Sequence, residues 1–357
     1  MRPKAKRSLD EDQPNAGRRP RERHDALTAY LFDARGVTNR HLVVKEEARP
    51  INGAGKVVIG SKPIDGGYLI FNNAERARLL ERETDAATYL RPYLGAQEFI
   101  NGGARWIAAL QNVEPDRLRR MPSLADRVGQ VRRFRLGEIP PKGKDETKKV
   151  IPGVSSQGLA KNPTAFHVTV IPTNPFLAIP EVSSERREYI PLGWLEPPTV
   201  PSNKLRILLD ASRWDFGILT SQMHVSWSRH IGGRLKSDFQ YGIGLNYNTF
   251  PWPDATPAQR AKIETLAQAV LDARLAHPTA SLADLYDPDT MPGDLRKAHH
   301  ALDLAVDRLY RPKSVGAPFA SDRDRVEHLF GRYEALVNPL ATAGVKANKR
   351  VARNAAK

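Results

Sequence analysis

Arg234, Lys236, Asp238 and Gln240 recur at every second position in the stretch Gly232 to Pro253. On an extended backbone that spacing puts all four on one face and leaves Leu235, Phe239 and Tyr241 in the other phase. The four types have a shared chemistry. Lysine donates to guanine O6 and N7, a carboxylate accepts from cytosine N4, and glutamine pairs with adenine N6 and N7. An ordinary solvated strand face shows the same alternation, so spacing alone leaves base reading and a plain surface strand both open.

A second group of candidates is cationic. Residues 116–149 hold 11 Lys or Arg against five acidic residues, including Arg132-Arg133-Phe134-Arg135. Such a surface suits phosphate contacts, which position a protein on a polyanion without reading its sequence. A solvated charged helix fits the same residues. Arg186 and Arg187 follow Ser183-Ser184-Glu185 on an expected hairpin.

Signals for catalysis are weak. Gly53-Ala54-Gly55 and Gly242-Ile243-Gly244 are the short glycine candidates for a cofactor loop, and neither precedes a convincing helix. The Asn-Pro pairs at 162, 174 and 338 lack the Pro-aromatic continuation that would hold a flipped adenine. Asp116 with Glu146 and Lys148 has the residue types of a Mg²⁺-dependent nuclease, but the second half falls in a Lys/Glu-rich, Pro-flanked loop. His224 and His230 have no partners at metal spacing, which favours packing or hydrogen bonding. The residues support binding rather than catalysis.

These groups need elements to carry them. At 357 residues the chain is long enough for two domains, and 40% apolar content supplies a core. A net charge of +15 favours a polyanionic partner, with nucleic acid ahead of an anionic membrane surface. The absence of cysteine excludes disulfides and thiolate chemistry and fits a reducing cytosol. No apolar run approaches the 18 or so residues of a membrane span. The chain is expected to be soluble and cytoplasmic.

Residues 1–24 carry eight Lys or Arg against four acidic residues and read as a disordered basic lead. Strands are expected at 27–32, 57–60, 68–71, 105–110, 167–170, 176–179, 189–190 and 205–209, with 91–103 rich in turns. The first of these has no earlier element to pair with. Helices are expected from Asn73 to about Glu83 and from Asp215 to Ile231. After Pro253 the pattern becomes helical, opening with a Thr256-Pro257 cap, and residues 339–357 read as a disordered basic tail.

Several motifs, taken in order, resemble the MmeI-like enzymes, the single-chain type IIL restriction-modification proteins and their methyltransferase relatives. They are Arg91-Pro92-Tyr93-Leu94-Gly95 with Glu98-Phe99-Ile100-Asn101-Gly102, Ile179 to Arg187, and Phe216 to Ser221 with His224 and Trp227. Gly233 to Asp238, Tyr247 to Pro253, and Asp284-Leu285-Tyr286-Asp287 with Met291-Pro292 complete the series.

The resemblance implies an α+β fold, a mixed β-rich target-recognition domain over 61–253 followed by a C-terminal helical bundle over 254–338. Residues 25–60 would then be the end of a methyltransferase domain. It further implies that Lys236 and Asp238, flanking Ser237, read one base pair, their order setting its orientation. Gln240 is implied as a second base reader, at a position where many relatives carry arginine. Arg132, Arg133, Arg135, Arg186, Arg187 and Arg234 are the candidate DNA-backbone contacts.

The implied partner is double-stranded DNA, together with a methyltransferase chain encoded nearby. No cofactor is expected on this chain, S-adenosylmethionine belonging to that methyltransferase domain. Whether this chain is catalytic stays open. A complete S-adenosylmethionine-dependent methyltransferase with an unrecognised site, and a non-specific nucleic-acid binder, are the alternatives.

Overall fold

The computed structural model describes residues 27–31, 39–145 and 151–339. The expected basic lead, nearly all of the expected tail and the Glu146/Lys148 pair lie outside them. In chain order the strands are β1 (Val57–Ile59), β2 (Ile70–Phe71), β3 (Leu90–Leu94), β4 (Trp106–Ala108), β5 (Phe176–Pro180), β6 (Val182–Ser183), β7 (Gly193–Leu195), β8 (Val200–Pro201), β9 (Leu205–Leu209), β10 (Gly233–Leu235) and β11 (Asp238–Gln240). The helices are α1 (Asn73–Arg82), α2 (Ala96–Asn101), α3 (Pro115–Arg119), α4 (Pro122–Leu136), α5 (Val154–Leu159), α6 (Arg213–Thr220), α7 (Gln222–Ile231), α8 (Pro257–Leu275), α9 (Leu282–Leu285), α10 (Gly293–Tyr310) and α11 (Asp322–Val337). The fold is α+β, with the helices concentrated at the C-terminal end.

Three small sheets organise it, in the strand orders β1-β9-β5-β7, β2-β4-β3-β8 and β10-β11-β6. The strand period explains the first. Leu177 and Ile179 of β5 face one core while Phe176 and Ala178 face another, and Leu208 and Ile207 of β9 divide in the same way. The second sheet packs against α4, whose Leu124, Val128 and Val131 form its buried stripe. Capping supports the helices. Asn72 and Glu75 make a reciprocal capping box on α1, and Thr256 with Gln259 does the same for α8 ahead of Pro257.

Several expected elements differ. Residues 27–31 form a bridge and a turn rather than a strand, with the Leu31 amide donating to the Thr28 carbonyl. The segment 91–94 is a strand and 96–101 a helix, since Glu98 reaches back to cap the Gly95 amide at 2.9 Å. Residues 167–170 contribute an isolated bridge, Lys62 to Val168, and 189–190 are irregular. The helix expected from Asp215 to Ile231 is two helices broken at Ser221, whose extended backbone separates α6 from α7.

The C-terminal helices share their core with what precedes them. Phe216, Leu219 and Trp227 of α6 and α7 lie in one apolar cluster with Ile263 of α8, Val306 of α10 and Phe330 of α11. Gly217 permits the closest approach, since a Cβ there would stand 2.7 Å from Ile263. Residues 39–60 join the same body: β1 pairs antiparallel with β9, and Val44 and Val57 lie in that core. Among the described residues no helix is long and apolar enough to cross a membrane.

A buried polar contact helps tie the two regions. Asp303 on α10 accepts from the Gln222 amide that opens α7 and from the Tyr189 hydroxyl, both at 2.7 Å. Burial pushes its carboxyl up to about 7 and Asp307 adds to that, against the two hydrogen bonds and the charge of Arg325. The folded pKa lies above the unfolded one, so the folded state holds the extra proton between about pH 4 and 7. This group's contribution is therefore full at acid pH, declines as pH rises towards 7, and is flat above. Asp303→Asn removes the slope. Relative to wild type, its urea-unfolding free energy is expected to improve between pH 5 and pH 8, and a difference equal at both pH values would refute the assignment.

Candidate nucleic-acid interface

The polar alternation does not run straight. The chain turns back at Lys236-Ser237, so that β10 and β11 form a hairpin with Gly233 opposite Gln240, Arg234 opposite Phe239 and Leu235 opposite Asp238. Directly opposed residues of an antiparallel pair share a face. Asp238, Gln240 and Leu235 therefore lie together, and Arg234 lies on the other side with Phe239. The expectation that Arg234 shares a face with Lys236, Asp238 and Gln240 is corrected by the turn.

Lys236 sits at the tip with φ 57°, the left-handed region that a residue with a Cβ seldom occupies. A positive φ at the first central position of a two-residue loop, and not the second, is the type II′ pattern, where glycine is the usual residue. A lysine held there costs on the order of 1 kcal/mol. In return its side chain projects from the end of an exposed two-stranded ribbon, all three β10 residues being exposed.

The ribbon is held from beneath. Strand β11 pairs with β6, Phe239 against Ser183 and Gln240 against Val182, and the Tyr241 amide donates to the Glu181 carbonyl at 2.7 Å. Two guanidinium groups approach the Phe239 ring, Arg234 at 3.9 Å and Arg229 at 5.5 Å from its centre. Arg229 also donates to the carbonyls of Arg187 and Glu188 and pairs with Asp322 of α11 at 3.0 Å, so the helical region braces the hairpin. Gly232 has to be glycine for space, since a Cβ there would run into the Asn246 amide and the Ser228 carbonyl.

Tyr241 is buried and shares a 2.8 Å hydrogen bond with His224 Nε2. Burial drives the His224 imidazole down to about 3, so it stays neutral at physiological pH and serves as a structural partner. His230 approaches the Ser226 carbonyl at 2.8 Å. Among the described residues no group of three or more His, Asp or Glu side chains is placed to hold a metal ion.

Beside the hairpin lies an open cleft of about 470 Å³, lined by Gln97, Glu98, Arg105, Lys204, Leu235 and Gln240 among others. Arg105 pairs with Glu98 at 2.7 Å, and Lys204 pairs with Glu181 at 2.9 Å. Burial works to raise the Glu181 carboxyl, but Lys204 and Arg206 outweigh it and hold the pKa below the usual range. The motifs around Gly95, Glu181 and Leu235 thus converge on one concavity although some 140 positions separate them. Lys204 escapes sequence reading because it is a single lysine in a polar turn with no periodic context.

The cationic candidates separate into different environments. Arg132 and Arg133 are exposed on α4, the latter 3.5 Å from Glu138. Arg186 is exposed and paired with Asp289. Arg187 is half-buried. Burial pulls its pKa down while Asp287 and Asp238 oppose the shift, so it sits as a counter-charge near Asp238 rather than on the surface. Arg135 is a correction. It is fully buried and donates to the carbonyls of Pro63, Ile64, Leu159, Asn162 and Ala165 at 2.7–3.0 Å, so no phosphate can reach it.

Comparison with known proteins identifies the family. The family model for the MmeI target recognition domain matches residues 38–254, and that for the MmeI C-terminal domain matches residues 255–341. The chain is 33% identical over 310 residues to "DNA methyltransferase A" of Bacillus subtilis (strain 168), covering 87% of this chain and 33% of that protein. It superposes with TM-score 0.75 and 34% identity on the structure of the type IIL restriction-modification enzyme MmeI in complex with DNA, covering 83% of this chain and 37% of that one. The chain thus spans about a third of the length of each relative. It belongs to the MmeI family, as a target recognition domain followed by the C-terminal domain.

Proposed function

We propose that this chain reads a specific sequence in double-stranded DNA and directs an adenine N6-methyltransferase domain to it. The observation that carries the proposal is the β10–β11 hairpin, exposed along β10, with a cation at its tip and a carboxylate and an amide on one face. A two-stranded ribbon fits the major groove, where Lys236 donates to guanine O6 and N7 and Asp238 accepts N4 of the paired cytosine. Gln240, facing the cleft, suits an adjacent adenine. Arg132, Arg133, Arg186 and Arg234 supply phosphate contacts that fix register. The relatives named as a DNA methyltransferase and as an enzyme solved with DNA support the reading. S-adenosylmethionine would be held by a methyltransferase domain outside these residues, on the same polypeptide or on a partner chain.

Selection from a random duplex library tests this. The purified chain is expected to enrich one short motif containing a fixed G·C pair, and Lys236→Ala to lose that position. Arg132→Ala or Arg133→Ala should weaken binding on all sequences alike and lower the salt slope by about one. Enrichment of nothing beyond bulk DNA would defeat the proposal. Micromolar binding of S-adenosylmethionine to this chain alone would instead favour a complete methyltransferase.

A further inference from the structure

We infer that Leu235 reads the C5 edge of the cytosine taken by Asp238, which makes the chain a discriminator of 5-methylcytosine within its site. The inference rests on the base-reading function proposed above. Leu235 is 54% exposed and belongs to no buried cluster. Its register explains where it points. It stands directly opposite Asp238, sharing that face with Gln240, and lines the cleft together with Gln240.

Opposed Cβ atoms lie about 5 Å apart across an antiparallel pair. A carboxylate placed on cytosine N4 therefore brings the leucine over the adjacent ring atom, C5, which is where a methyl group would project into the major groove. Gly233, opposite Gln240, has no side chain to compete for that space. The two neighbours impose a joint requirement. Thymine offers the methyl but presents its O4 acceptor to the Asp238 carboxylate, an unfavourable pairing of two acceptors. Unmodified cytosine offers N4 but leaves the leucine against a bare ring edge. 5-Methylcytosine satisfies both.

The test uses the full chain and its selected duplex, with cytosine or 5-methylcytosine at the position read by Asp238. Wild type is expected to bind the methylated duplex about three- to fivefold more tightly, the effect of burying one methyl group. Leu235→Ala should bind both duplexes equally, and Leu235→Met, which keeps the apolar reach, should retain the preference. Equal or weaker binding of methylated DNA by wild type overturns the inference, as does a methyl preference that persists in Leu235→Ala. Competition against the duplex with that G·C pair inverted separates the two levels. If wild type discriminates the inverted pair yet ignores the methyl, only the Leu235 role falls. If it ignores the inversion, base reading falls and the Leu235 role with it.

Discussion

Exchanging the two tip residues, Lys236→Asp with Asp238→Lys, is expected to invert the base pair that the protein prefers and leave it folded. Each charged contact to a base edge discriminates by about 1–3 kcal/mol and the exchange loses two of them, so affinity for the original site should fall by at least about 30-fold. The duplex with that pair inverted should gain by a similar factor. The fold tolerates the exchange for local reasons. Position 236 has φ 57°, a conformation that Asp occupies more readily than Lys. Position 238 loses only a long 3.4 Å hydrogen bond from the Glu185 amide, and neither residue is in the core. Arg187 is the element that resists, because its guanidinium near position 238 suits a carboxylate and opposes a second cation. Adding Arg187→Gln to the exchange should therefore improve binding of the inverted site. Competition binding with both duplexes measures it, and a doubly exchanged protein that still prefers the original pair would rule out base reading by these residues.

How far the sequence carries depends on which forces set each element. The long C-terminal helices were legible because capping and apolar periodicity agree over many residues, as at Thr256-Pro257 with Ile263, Ala267 and Val270. Strand β5 is legible as a continuous apolar run buried on both faces, and β9 as an apolar run interrupted by Arg206. The hairpin was only half legible. A period of two runs unbroken through Lys236-Ser237, and the turn carries no Gly, Asn or Pro to mark it, so the reversal that separates Arg234 from Asp238 is invisible to spacing. Strand β3 is hidden in the sequence because Pro92 and Gly95 read as turn signals, whereas its parallel partner β8 lies more than 100 residues away. The break at Ser221 likewise depends on α10, whose Asp303 caps the α7 amide from outside.

Arg135 had a signal that composition concealed. In the run Arg132-Arg133-Phe134-Arg135 the three arginines look alike as a basic cluster. Helical phase divides them, because Leu124, Val128, Val131 and Arg135 fall on one stripe while Arg132 and Arg133 face solvent. A cation on an apolar stripe is either an error of phase or a buried anchor. Here it is an anchor.

Arg135→Ala is accordingly expected to be the most destabilising single substitution in the recognition domain. A guanidinium has five N–H donors. All five are used, one each for the carbonyls of Ile64, Leu159, Asn162, Pro63 and Ala165, none of which belongs to its own helix. It thus fastens the loop before β2 and the segment around α5 to the end of α4. Truncation leaves five carbonyls facing a void, and losing one partner from a buried charged network costs about 3–5 kcal/mol, or a fall in Tm on the order of 10 °C. Arg135→Lys keeps the charge but offers three donors without the planar fork, so it should recover only part of the loss. A phosphate-binding arginine would behave in the opposite way, with unchanged Tm and a shallower dependence of DNA affinity on salt. Thermal unfolding and a salt titration of the same variant therefore distinguish the two roles. A Tm within about 2 °C of wild type, together with a reduced salt slope, would return Arg135 to the DNA surface.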